Sequence, residues 1–318
     1  MVGNKNLNQA LEYVHCPLCG ADDTRLRFIV RDRLVGMPGR FPVVQCGQCS
    51  FVYLNPRPSE ESLHAYYPDE YFPVQSGVES PEAIAVANGL LARIQRAIPS
   101  AGPGGKPLIL DVGCGTGLFL KLAREDGYRV QGIEPGATAA EYARTVYDLP
   151  VECGTLQSVS VPPDSCDVVT MWHVLEHMPS PVGALQVVRE LLKPGGLLVL
   201  GVPNIESAEA RVFGRRWFSL DAPRHVCHFG PHTARQTIEA AGLVAERIVH
   251  SEGTAGLVYS VMGDITGVSL RVRNRQLAEP TYDRIARALG VSMAPLCWLA
   301  ARARSGGALE VFARKLSA

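Results

Sequence analysis

The stretch "PLILDVGCGTG", residues 107–117, decides the reading of this chain. Residues 108–112 are an apolar run of the length of a buried strand. Gly113, Gly115 and Gly117 then occupy alternate positions, and "LFLKLARED" follows with apolar residues at helical spacing. Strand, glycine turn and helix form the opening unit of a doubly wound α/β domain. The glycines allow the backbone to turn sharply and to approach a ligand.

The loop departs from the dinucleotide fingerprint. That pattern is G-x-G-x-x-G, whereas this loop is G-x-G-x-G with Leu118 at the next position. Asp111 stands two residues before the first glycine. The following strand, "YRVQGIE", ends in Glu134. A carboxylate at the end of a second strand accepts the hydroxyls of a ribose in nucleotide-binding α/β domains.

Further segments continue the pattern in order: "SCDVVTMWHVLEHMPSP" (165–181), "ELLKPGGLLVLGVPN" (190–204) and "ALEVFARK" (308–315). Together these segments resemble the strands and turns of the class I S-adenosylmethionine-dependent methyltransferases. The resemblance implies a Rossmann-like seven-stranded sheet closed by a C-terminal strand. It implies S-adenosylmethionine as cofactor, held by Gly113, Gly115 and Gly117. Asp111 would then orient the loop or the amino group, and Glu134 would take the ribose hydroxyls. Residues Met171 to His173, Trp172 among them, would pass beside the sulfonium. Many members read adenine with an Asp after the third strand. Here that segment is "VECGTLQS", so backbone groups near Thr155 and Leu156 are assigned instead.

Upstream, "CPLCG" and "CGQCS" supply Cys16, Cys19, Cys46 and Cys49. Two C-x-x-C knuckles present four thiolates, the donor set of a closed tetrahedral Zn²⁺ site. "RLRFIV" and "FPVVQC" are predicted strands joined through "GMPGR". This is a zinc ribbon, since a redox dithiol comes singly at a helix start. "PSEES" predicts a helix start with Ser59 as cap. Tyr66, Tyr67 and Tyr71 crowd the next segment, as packing rings or as a lid edge. A helix is predicted over 82–98, followed by the linker "PSAGPGGKP". The domain reading is ribbon 1–58, helical linker or lid 59–105, and methyltransferase domain 106–318. A helical insert at about 255–306 precedes the last strand. Ribbons with "NPRP" and a Tyr-rich helix resemble those ahead of some sugar C-methyltransferases.

Two histidine clusters carry candidate chemistry. His173, Glu176 and His177 share one face if their segment is helical. They are then either a divalent-metal site or a turn, with Glu176 serving a helix start and His177 packing. "DAPRHVCHFGPH" (221–232) follows the fifth strand, where α/β sheets place ligands beyond the carboxyl ends of their strands. Sugar C-methyltransferases of similar layout have Glu-His where this chain has Arg224-His225. His225 is the expected general base, with His173 as alternative, and Arg224 the expected anchor for a substrate phosphate or carboxylate. Purely structural packing is the main competing use of the cluster, and metal binding by His225, Cys227, His228 and His232 a further one. The helix that follows is predicted near "PHTARQ", with Thr233 as cap.

Composition bounds the rest. The 318 residues are 47% hydrophobic and 19% charged, with 31 Lys+Arg against 31 Asp+Glu. Zero net charge argues against nucleic-acid binding, which leaves a basic footprint. The methyltransferase resemblance then implies a small-molecule acceptor: a sugar, a polysaccharide precursor or a secondary metabolite. An RNA or protein methyltransferase gripping its target through the ribbon is the second reading, and a non-catalytic cofactor-binding scaffold the third. The start of the chain has no signal-peptide pattern, no run is long enough for a membrane helix, and nine unevenly placed cysteines suit a reducing cytoplasm. The apolar patches of the insert, with arginines at their edges, suit either packing over the pocket or contact with a membrane surface.

Overall fold

The computed structural model describes residues 11–67, 79–98, 106–158, 160–266 and 279–317. Tyr71, most of the 99–107 linker and part of the "SVMGDITGVSLRVR" patch lie outside the described residues.

The N-terminal part is built from short strands. β1 (Leu11–Glu12) pairs with β5 (Arg57–Pro58). β2 (Thr24–Val30), β3 (Phe41–Cys46) and β4 (Val52–Leu54) form an antiparallel meander. The one-turn helix α1 (Glu60–Leu63) is capped as expected, with Ser59 Oγ accepting from the Ser62 amide. α2 (Pro81–Ala97) is capped by Ser80 Oγ and buries Leu90, Leu91 and Ile94 on one face.

The central sheet has seven strands. β6 (Leu108–Val112) leads through the glycine loop into α3 (Leu118–Glu125). β7 (Arg129–Glu134), α4 (Ala137–Tyr147) and β8 (Val151–Cys153) complete one half. β9 (Cys166–Trp172), α5 (Pro181–Leu191) and β10 (Leu192–Pro203) begin the other half. α6 (Ala208–Phe213), β11 (Cys227–His228) and α7 (Pro231–Ala240) then precede β12 (Val244–His250). α8 (Ala255–Thr266) and α9 (Glu279–Arg302) form the helical insert before β13 (Ala308–Arg314). Strand order is β12-β13-β10-β9-β6-β7-β8. β13 runs antiparallel to both neighbours, while the β6, β7, β8, β9 and β10 pairings are parallel. β6 and β9 are central and both wholly or largely buried, which is why they read as nearly continuous apolar runs.

The ribbon is not a separate body. β11, from the loop beyond β10, adds to the edge of β4, with Cys227 opposite Tyr53 and His228 opposite Val52. Phe51 meets Phe229 edge-to-face at 5.3 Å. One continuous apolar core runs from Val43 and Tyr53 to Leu198 and Val311. Leu34 of the ribbon also packs on Val258 and Met262 of α8.

Three local expectations change. The 173–177 segment is no α-helix: His173 is left-handed (φ 56°) and only Leu175–His177 form a 3-10 turn. Gly230, not Thr233, is the cap of α7; Thr233 sits inside the first turn, and its Oγ1 accepts from the Gly230 amide at 3.0 Å. The insert packs through α8, but α9 leaves Val291, Leu296 and Leu299 exposed. No described helix is long and apolar enough to cross a membrane.

Candidate active site and cysteine cluster

The glycine loop is held by Glu134. Its Oε2 accepts from the Gly115 amide at 2.8 Å and its Oε1 from the Gly136 amide at 2.7 Å. Gly113 and Gly117 both have left-handed φ, 73° and 84°. A Cβ on Gly113 would stand 2.5 Å from Val174, and one on Gly117 2.6 Å from Leu149. Only glycine fits either place. Asp111 is buried against β9, where Thr170 Oγ1 donates to it at 2.6 Å. Burial, with the neighbouring Glu134 charge, pushes its pKa up to about 7 against the Thr170 hydrogen bond. Trp172 lies over Gly201 of β10. Thr155 is exposed beyond β8, and its amide donates to Ser158 Oγ at 2.9 Å.

Beyond the carboxyl end of β9 the chain gathers Tyr67, Glu176, His177 and His225. Val226 sets them in place: its amide donates to the Glu176 carbonyl at 3.0 Å, and its carbonyl accepts from the Leu54 amide at 3.0 Å. The turn that carries Glu176 is thereby laced to the ribbon. His225 Nδ1 donates to the Ser219 carbonyl at 2.8 Å, which leaves its lone pair on Nε2. That Nε2 stands 4.0 Å from Glu176 Oε1 and 3.9 Å from Asp221 Oδ2. The rings of His177 and His225 meet edge-to-face at 4.6 Å. His177 Nδ1 lies 2.8 Å from the Tyr67 hydroxyl and 3.2 Å from the Arg224 carbonyl. Burial and the adjacent His225 push the His177 pKa down to about 4, so the ring is neutral at pH 7. Burial raises the Tyr67 phenol and keeps it protonated. Glu176 is buried and charged. Burial opposes the charge, but the His173 hydrogen bond and the surrounding imidazoles outweigh it and hold the pKa at about 2.

His173 is brought to this turn but not into its interior. Its side chain is about half exposed and its Nδ1 lies 3.1 Å from Glu176 Oε1. Burial works against its positive form; Glu176 prevails and raises its pKa. The three donors that do converge are Glu176, His177 and His225, within 4.8 Å of one another. Among the described residues the larger metal set does not come together: His232 lies exposed on α7 and joins no metal-spaced cluster with His225 and Cys227.

Arg224 is corrected outright as a substrate anchor. It is fully buried. Its guanidinium donates to Asp32 at 2.6 and 3.0 Å, to Asp221 at 2.6 Å and to the Tyr66 carbonyl at 3.1 Å. Those acceptors take up the donors a substrate anion would need. Asp32 was missed in the sequence because it lies 192 positions from Arg224, and Asp221, which opens the same stretch, was read without a role. Tyr66 packs edge-to-face on Phe41, whereas Tyr67, one residue on, reaches the site.

In the ribbon, the sulfurs of Cys16, Cys19, Cys46 and Cys49 lie within 4.8 Å of one another. Cys16 and Cys49 sulfurs are 3.5 Å apart, Cys19 and Cys46 3.6 Å. Tetrahedral zinc with ordinary Zn–S bonds sets sulfurs about 3.8 Å apart, so the donors fit such an ion. Both knuckles close through a left-handed residue, Gly20 (φ 75°) in one and Ser50 (φ 63°) in the other.

A seven-stranded sheet with one antiparallel strand, a glycine loop and an acidic partner at the end of the second strand define a Rossmann-like nucleotide-cofactor enzyme. The family model described as "Methyltransferase domain" matches residues 85–248. The chain belongs to this family of S-adenosylmethionine-dependent methyltransferases. It is similar to the ubiquinone biosynthesis O-methyltransferase of Vibrio cholerae serotype O1, 29% identical, with the match spanning 49% of this chain and 66% of that protein. It is 30% identical to the protein of that name from Pectobacterium atrosepticum, over 55% of this chain and 76% of the relative. Among solved structures, the S-adenosylmethionine-dependent methyltransferase of Mesorhizobium loti superposes with a TM-score of 0.46 at 19% identity, covering 75% of this chain and 100% of that one.

Proposed function

We propose that this chain methylates an oxygen or an acidic carbon of a small-molecule acceptor, with His225 as general base. The observation that carries this reading is the His225 imidazole, its Nδ1 committed to Ser219 and its Nε2 facing two carboxylates beyond β9. S-adenosylmethionine supplies an electrophilic methyl group on a sulfonium. Asp111, the glycine loop and Glu134 hold it, with Trp172 and His173 beside the sulfonium and Thr155 near the adenine. His225 Nε2 takes the acceptor's proton, and Glu176 and Asp221 stabilise the imidazolium that results. Tyr67 and His177, both uncharged, fix the neighbouring ring and exclude water. His173 is the weaker candidate base, since Glu176 favours its protonated form.

The relatives' names speak of O-methylation, which supports an oxygen acceptor. The ribbon supports a small-molecule role, because its β4 edge is taken by β11 and its inner face by the shared core. Zn²⁺ in the four-cysteine site is a structural ion in this reading, and a cytoplasmic, reducing location keeps those thiolates available.

The test is conversion of S-adenosylmethionine to S-adenosylhomocysteine across a panel of hydroxylated aromatic and sugar acceptors. Turnover that His225→Gln abolishes while cofactor affinity holds supports the assignment. Turnover with full activity in that variant overturns it.

A further inference from the structure

We propose that the outer face of α9 docks on a membrane surface rich in anionic phospholipid. Docking is separate from the methyl-transfer reading above and rests on this helix. α9 is apolar on two sides. Leu289, Met293 and the buried Cys297 stand four residues apart on the inner side, and the first two pack with Leu34, Val258 and Met262. Val291, Pro295, Trp298 and Leu299 recur at helical spacing on the opposite side. Val291 is 73% exposed, Leu299 55% and Trp298 42%, with Ile285 and Leu296 open at their edge. Single exposed apolar side chains are ordinary on a protein surface, whereas five on one helix mark a contact site.

The charge pattern selects what covers it. Residues 288–301 include no charged side chain. Arginines bracket the run, Arg284 and Arg287 before it and Arg302 and Arg304 after it, and no Asp or Glu occurs from 284 to 309. Arg287 faces Glu82 of α2 at 3.3 Å in an exposed pair. Among the described residues no carboxylate pairs with Arg284, Arg302 or Arg304, so three cations border the apolar face. The Arg302 guanidinium lies over the Trp298 ring, 4.3 Å from its centroid. An indole at the edge of an apolar face, with a cation beside it, is suited to the depth of lipid headgroups. The uncharged run has the length of an interfacial segment and is too short to span a bilayer. A second copy seated on this face would set arginine against arginine with no acid to answer them. Anionic lipid satisfies the apolar side chains and the cations together.

The docked face connects to the chemistry through α8. Ser260 Oγ of α8 accepts from the Phe218 amide at 2.9 Å, and the Phe218 and Tyr259 rings meet at 5.0 Å. The next residue, Ser219, accepts from His225 Nδ1. A bilayer on the outer side of α9 therefore lies behind the helix that supports the His225 stretch.

The experiment is co-sedimentation of the full, zinc-loaded chain with phosphatidylcholine vesicles, with and without phosphatidylglycerol. The expected result is binding to the phosphatidylglycerol vesicles and binding about tenfold weaker, or less, to phosphatidylcholine alone. Val291→Asp/Leu299→Asp should lose about tenfold or more, and Arg302→Gln/Arg304→Gln about tenfold, with melting temperature and S-adenosylhomocysteine affinity unchanged. Trp298 emission should shift to the blue on these vesicles, and Trp298→Phe should lose that shift. If the two aspartates destabilise the chain, the arginine variant decides. No binding by wild type, equal binding to neutral vesicles, or equal binding by the variants overturns the proposal. A dimer that Val291→Asp/Leu299→Asp dissolves, with no binding to vesicles, also overturns it and gives the face to a second copy.

Discussion

Arg224 Nη2 donates to Asp32 Oδ1 at 2.6 Å across 192 positions of sequence. Asp32 also accepts from the amides of Leu34, Val35 and Met37, so one carboxylate shapes the ribbon loop and fastens it to the His225 segment. Both side chains are fully buried. Removing Arg224 leaves two buried carboxylates without their partner, at a cost of about 3–5 kcal/mol. Asp32→Asn leaves Arg224 its Asp221 partner and is expected to lose less, though measurably, in urea unfolding. Arg224→Ala combined with Asp32→Asn should cost clearly less than the two single losses added. Additive losses would mean the two residues do not act as a pair.

Glu134 presents one carboxylate oxygen to each of two amides, Gly115 and Gly136. In Glu134→Gln one of those amides faces an NH₂ group, and two donors oppose each other. The glycine loop loses a fixed position and the cofactor a ribose acceptor. S-adenosylhomocysteine affinity is expected to fall about thirtyfold, roughly 2 kcal/mol, by calorimetry. An affinity within threefold of wild type would detach Glu134 from the cofactor.

His225→Gln keeps the side chain's bulk and a polar end but removes the base. Its expected signature is a fall of about 10²–10⁴ in kcat with S-adenosylhomocysteine affinity held within twofold. Tyr67→Phe removes the hydroxyl 2.8 Å from His177 Nδ1. Its expected loss in kcat is about tenfold, with KM little changed. Equal losses in kcat and cofactor affinity in either variant would mark a structural fault.

The sheet was legible because its signals are local. Residues 108–112 form the strand read from them, and the knuckles, the Ser59 cap and the α2 helix also follow from neighbours in sequence. The active-site wall was only half legible. His225 stands out by type, but its setting comes from Asp32, Tyr67 and Leu54, all more than 150 positions away. Arg224 was misread for the same reason, because an arginine beside a histidine looks available until a distant carboxylate fills its fork. The strand β11 has two residues, Cys227–His228, too few to show any periodicity. Its existence depends on the β4 edge it covers, and so the fusion of ribbon and site could not be seen in the sequence.

That fusion makes a prediction about zinc. The Leu54 amide is bonded to Val226, and β4 hangs from the knuckle that ends at Cys49. Purified protein is expected to carry one zinc per chain by emission spectrometry. Stripping it should lower the melting temperature by roughly 10 °C or more. It should also expose the Leu54 and Val226 amides to hydrogen exchange, although Val226 lies in the active-site loop. Fast exchange confined to the cysteine knuckles would show that the ribbon melts without disturbing the site.

His228 offers a test by pH. It is buried opposite Val52, and its Nε2 has no hydrogen-bond partner among the described residues. Burial, aided by the nearby His225 charge, pushes its pKa down to about 3, against about 6.5 in the unfolded chain. Below 6.5 the unfolded chain therefore takes up a proton that the folded chain refuses. Stability from this residue is complete above 6.5 and is lost as pH falls toward 3. His177, pushed down to about 4, acts in the same direction. Asp111, raised to about 7, acts oppositely: its contribution is complete below about 4 and is lost as pH rises through 7. Both effects are common to wild type and His228→Leu, and cancel when the two are compared. The stability of His228→Leu relative to wild type should therefore rise by about 2 kcal/mol between pH 7.5 and pH 5 in urea unfolding. A difference that stays constant over that range would mean His228 is protonated in the folded protein and finds a partner for its charge there.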